Sequence, residues 1–107
     1  DPCINDPALD ISLTPDPPIP NQEFFIGVSQ TVSTSISDGF VTIESIDGSL
    51  KQSQVCIIPA TNAGDNFLVN CALDALPNTP PLPINIQVFG NVGGQYNTIG
   101  CTQIFAF

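Results

Sequence analysis

Four prolines fall in the seven positions 14–20 ("TPDPPIP") and four more in the seven positions 77–83 ("PNTPPLP"). Each proline lacks a backbone donor, fixes its own φ and pushes the residue before it toward extended geometry. Neither stretch can therefore form a helix or a central strand, and both read as stiff crossovers from one sheet to another. Elsewhere Pro, Gly, Asn and β-branched residues interrupt every window, and no stretch keeps apolar positions at helical spacing.

The apolar period is two instead. "ALDISLT" (8–14) is a short strand stopped by Pro15. "EFFIGVSQTVS" (23–33) sets Phe24, Ile26, Val28 and Val32 on one face and Gly27, Ser29, Thr31 and Ser33 on the other. "GFVTIESID" (39–47) leads through the Asp47-Gly48 hairpin signal into "SLKQSQVCII" (49–58). "NFLVNCAL" (66–73), "INIQVFGNV" (84–92) and, after a "GGQ" turn, "YNTIGCTQIFAF" (96–107) follow. Seven short strands separated by turn signals in 107 residues predict one all-β domain spanning 1–107, an antiparallel sandwich of two sheets.

A chain of this length has a modest core, so cross-links would help. Its four cysteines, Cys3, Cys56, Cys71 and Cys101, come with no histidine and no Cys-x-x-Cys pair. Zinc and redox chemistry have little to work with, and two disulfides in an oxidising compartment are expected. Three pairings are open. The nested one, Cys3 with Cys101 and Cys56 with Cys71, is favoured, because on the chain-entropy model its loops contribute about 4–5 and about 3 kcal/mol.

Ten carboxylates face a single basic residue, Lys51, for a net charge of −9. Such a surface repels nucleic-acid phosphates, so nucleic-acid binding is excluded. No apolar run approaches a membrane span. The start "DPCIND" reads as a mature chain after removal of a leader, which with the cysteines predicts a secreted protein, or one in the lumen of an acidic compartment.

Catalysis finds few candidates. Without histidine, no Ser-His-Asp or Cys-His arrangement exists. Asp38, Glu44 and Asp47 could serve glycoside hydrolysis, yet they fall at strand ends or outward positions, and Lys51 sits on a polar stretch. "TNAGDN" and "SIDGS" do not carry the ligand spacing of a calcium loop and read as hydrated turns. The expectation is a protein that is not an enzyme, with no metal and no cofactor.

The run "LDISLTPDPPIPNQEFFIGVSQTVSTSISDGFVTIE" resembles the opening of ML lipid-recognition domains, the family of sterol carriers and fungal phospholipid transfer proteins. "INIQVFGNVGGQYNTIGCTQIFAF" resembles its closing hairpin, with a cysteine in the last strand, and the order of one early, two middle and one late cysteine agrees. Two departures stand out: "NCALDAL" replaces the family's Cys-Pro-Ile-like segment, and basic residues that would hold anionic head groups are missing.

The resemblance implies an immunoglobulin-like sandwich whose sheets hold a sterol, fatty acid, or neutral or zwitterionic phospholipid between them as the only ligand. The implied lining is the inward faces of the strands: Phe24, Ile26 and Val28; Val41 and Ile43; Phe67 and Val69; Ile86 and Val88; and Ile104. Each would equally serve as ordinary core in any sandwich. Transient membrane contact at low pH is expected as the carboxylates lose charge, and a protein receptor would be a further partner. The rival expectation is a densely packed interaction module, an effector or adhesin, that binds protein or carbohydrate through exposed Phe25, Phe89 and Tyr96.

Overall fold

A computed structural model describes residues 9–14, 22–45, 55–73 and 83–104. It is an antiparallel all-β sandwich of seven strands: β1 (Asp10–Thr14), β2 (Phe24–Thr31), β3 (Gly39–Ser45), β4 (Cys56–Ile58), β5 (Asn66–Leu73), β6 (Ile84–Val92) and β7 (Gln95–Ile104). One sheet runs β1-β2-β5 and the other β4-β3-β6-β7. The immunoglobulin constant arrangement pairs its fourth strand with its fifth; here β4 pairs with β3 instead, as the hairpin signal predicts. The Asp47-Gly48 turn itself, Lys51, "SIDGS", and both proline clusters up to residue 82 lie outside the described residues.

Strict alternation builds the core. Along β6, Ile84, Ile86, Val88 and Gly90 are buried while Asn85, Gln87 and Phe89 are half-buried on the outer face. Register carries this alternation across the sheets: Val41 pairs with Val88 and Ile43 with Ile86 in one, Ile26 with Cys71 and Val28 with Val69 in the other. Paired residues share a face, so the apolar side chains of both sheets meet in one contiguous cluster.

Both long edges of the sandwich carry ties between the sheets. At one, a disulfide joins Cys56 of β4 to Cys71 of β5 with a Cα–Cα distance of 5.6 Å. Cys101 is buried in β7, and its expected pairing with Cys3 involves a residue outside those described. At the other edge, the Leu9 N–H donates to Thr102 Oγ1 at 2.8 Å. Beside it, Gly100 leaves the room that Leu9 fills, since a Cβ there would meet Leu9 Cδ2.

The β6–β7 hairpin closes on Gly93-Gly94, whose φ values of 64° and 90° are those a two-residue hairpin turn requires. This turn sets Val92 opposite Gln95, whereas the core half of the hairpin sets Val88 opposite Gly100. The two registers differ by one residue. A β-bulge at Ile99 absorbs the difference, so that Phe89 pairs with Thr98.

Between β2 and β3, the segment 32–36 docks on the loop before β5. Val32 N–H donates to the Asp65 carbonyl, Gly64 N–H to the Val32 carbonyl, and Ile36 and Thr61 exchange both backbone bonds. Gly64, at φ 89°, makes the turn in which Asp65 N–H reaches the Asn62 carbonyl. "TNAGDN" is thus a turn held by backbone bonds, and no group of three potential metal ligands occurs among the described residues.

Candidate functional site

The ten residues implied as a lining all face the space between the sheets. Phe24, Ile26, Val28, Val41, Ile43, Phe67, Ile86 and Val88 are buried, with Val69 and Ile104 partly buried against them. Phe24, Ile26, Val28, Ile86 and Val88 are 0 % exposed; no space large enough for a water molecule touches them. Around these five residues the interior is filled by protein atoms.

Space opens toward one end of the sandwich. β1 begins at Asp10, opposite Ser29, so β2 beyond Ser29 has no described strand neighbour on that side. There a cleft of about 290 Å³ lies between the sheets, lined by Gln30, Thr31, Val32, Ser33 and Thr34 from one and Val92, Asn97 and Ile99 from the other. Val32 is buried in the core cluster, and Val92 and Ile99 pack against it, so the apolar floor of the cleft is continuous with the interior. No charged side chain lines it.

Gln30 stands in the inward stripe of β2, between Val28 and Val32, and is 9 % exposed. Its Nε2 donates to the Ile99 carbonyl at 2.7 Å, bridging β2 to the bulge of β7. Its Oε1 is buried and has no hydrogen-bond donor among the described residues. The amide is seated against Gly100, where a Cβ would come within 3.0 Å of both its oxygen and its nitrogen. A polar residue breaking an otherwise apolar period-two stripe is the sequence signal for this side chain, and the strand assignment passes over it.

A second feature lies on the outer face of the four-stranded sheet. Phe40 pairs in register with both Phe89 and Ile57. The Phe40 and Phe89 rings stack at 5.0 Å with an interplanar angle of 19°, and Tyr96 leans on Phe40 at 5.3 Å. Ile57 and Val55 beside them are 62 % and 70 % exposed. The bulge at Ile99 brings Tyr96 here. With an uninterrupted register Tyr96 would oppose Val92 on the inner phase of β6, whereas with the bulge it opposes Asn91.

The Tyr96 hydroxyl donates to Asp38 Oδ2 at 2.7 Å. That hydrogen bond, with slight desolvation and the Asp38 charge, holds the phenol above its usual range, and a hydrogen bond from Asn91 partly opposes the shift. Of the aromatic residues expected at the surface, Phe89 and Tyr96 come together in this cluster. Phe25 is exposed on β2, in the opposite sheet, and does not join them. Phe40 and Ile57 become members only through strand register, which no single strand displays.

The carboxylates expected to be near one another do not form a pair for acid–base chemistry among the described residues: Asp38 bonds Tyr96, Glu44 pairs in register with Asn85, and Asp47 lies outside. A hollow of about 360 Å³ over the Cys56–Cys71 disulfide is lined by Val55, Ile57, Val69 and Asn70. Comparison of the chain with protein-family models, with curated proteins and with solved structures finds no match in any of the three.

Proposed function

We propose that the protein binds a single neutral lipid between its two sheets and takes it in through the cleft beside Gln30. The observation that carries this reading is the cleft itself, an uncharged opening between the sheets whose floor of Val32, Val92 and Ile99 runs into the apolar interior. At about 290 Å³ it falls just under the roughly 300–1,000 Å³ of sites for drug-sized ligands. It accepts a head group or a chain end, and the rest of a lipid requires the sheets to part.

Each methylene buried returns about 0.8 kcal/mol, so a chain of about ten methylenes supplies about 8 kcal/mol toward separating the sheets. The ligand then takes the place of core contacts. The resemblance to ML domains points the same way, and disulfide bonding favours a secreted protein or one in an acidic lumen. With ten acidic residues and one lysine, anionic head groups are disfavoured.

Native mass spectrometry of the purified protein after incubation with neutral and zwitterionic lipids tests this. A one-to-one complex that dissociates on denaturation is expected; a bare mass under every condition would refute the reading. The second reading, an interaction module, is favoured by the Phe40–Phe89–Tyr96 cluster with exposed Ile57. Aromatic residues at such a surface are the usual anchors of protein recognition. Tyr96 is the sole tyrosine and the chain has no tryptophan, so its fluorescence reports on this face. A change on adding a partner to a lipid-free protein would favour the surface.

A further inference from the structure

We infer that Gln30 is the acceptor for a ligand hydroxyl, so that the cleft selects hydroxyl-bearing amphiphiles over hydrocarbons, ethers and carboxylates of equal chain length. The inference rests on the inter-sheet reading and names the ligand chemistry of that site. It begins from the orientation of the carboxamide. Because Nε2 is committed to the Ile99 carbonyl, the amide cannot turn over without losing that bond, and Oε1 keeps the remaining direction. The bulge makes this possible, since it leaves Ile99 as the extra residue of β7, opposite no residue of β6.

The oxygen is therefore fixed, buried and unpaired among the described residues, in a residue that lines the cleft. An acceptor in that condition has lost its hydration and gained no replacement, and a donor brought by the ligand restores what was lost. A hydroxyl supplies one without carrying charge into the interior. An ether oxygen or an alkane offers no donor. A carboxylate sets its own lone pairs against Oε1, and no cation lines the cleft to compensate. Gly100 completes the site, because any side chain there would crowd both amide atoms.

The test compares dodecanol with its methyl ether, by calorimetric titration or native mass spectrometry of the full chain. The wild type is expected to bind the alcohol about tenfold more tightly, the ratio for one hydrogen bond to an otherwise unpaired acceptor. In Gln30→Met, which keeps the length and apolar bulk of the side chain, the two probes are expected to bind equally. Gln30→Leu is the second variant should Gln30→Met fail to fold, and the wild-type ratio stands without either. Equal binding by the wild type, or a preference that survives in a folded Gln30 variant, overturns the inference while leaving inter-sheet binding intact. If neither probe binds the wild type, the inter-sheet reading falls and takes the inference with it.

Discussion

Replacing Cys56 and Cys71 together by alanine isolates what the edge clip contributes. The cross-link joins residues separated by 15 positions, and closing a loop of about 15 residues removes about 3 kcal/mol of chain entropy from the unfolded state. The native loop between them keeps its own ties in the variant, because Thr61, Gly64 and Asp65 are bonded to Val32 and Ile36 through the backbone. The effect should therefore reside chiefly in the unfolded chain. Both cysteines are buried, and the two missing sulfurs add on the order of 1 kcal/mol of lost packing.

At about 2.1 cal/mol/K of unfolding entropy per residue, 107 residues carry about 225 cal/mol/K, so a loss of about 3–4 kcal/mol lowers Tm by roughly 13–18 °C. Scanning calorimetry of both proteins measures the shift, and urea titration adds a second readout. The variant's urea slope should rise, because its unfolded chain expands further. A Tm shift below about 5 °C with an unchanged slope would refute the reasoning and place the strength of that edge in the native packing of β4 on β5.

Further outcomes follow from single positions. Asp38→Asn should bring the Tyr96 titration down toward the ordinary phenol value, read by ultraviolet difference absorbance of the single tyrosine; an unmoved midpoint would show that the bond to Asp38 does not set it. Because the folded phenol titrates above its unfolded value of about 10, the stability that this bond contributes is complete below that value. It is lost as pH rises through the raised folded pKa, so alkaline melts of the wild type should fall more steeply than those of Asp38→Asn. Gly39→Ala should destabilise more than Gly90→Ala in urea titrations: the new methyl at 39 meets the Phe89 backbone carbonyl, whereas at 90 it meets side-chain atoms, the branch methyl of Ile36 and the end of Ile99, which can shift more readily than backbone. Transfer of bound lipid to anionic vesicles should quicken as pH falls toward the sequence pI near 4.1, where the carboxylates lose their repulsion; transfer fastest at neutral pH would contradict this.

The strands were legible because alternation is local. "INIQVFGNV" and "EFFIGVSQTVS" declare their inward faces residue by residue, and β6 and β2 fall at 84–92 and 24–31. Glycine and proline marked the breaks, and Gly93-Gly94 marked the tight turn. What stayed hidden depends on pairing. Phe89 reads as a surface aromatic while Phe40 is not singled out by its own strand, and only the register of β3 on β6 stacks them. The Ile99 bulge follows from a mismatch between turn and core that neither half of β7 reveals alone. Gln30 was visible as a polar residue in an apolar stripe, but the free carbonyl that receives its amide exists only once the bulge does.

The bulge also governs which changes of length the hairpin can absorb over its history. Beyond Ile99 the strands are out of phase with the core by one residue, so the distal part behaves as an appended cassette with its own parity. Adding or removing one residue from each arm together, tip glycines retained, would move Tyr96 along the sheet edge and reverse its side relative to the core. Two from each arm would preserve that side. A single deletion at Ile99 would make the backbone pairing continuous and leave Tyr96 opposite Asn91 on the outer face, yet it would withdraw the carbonyl that anchors Gln30. Length variation in this hairpin should thus come in paired, even steps.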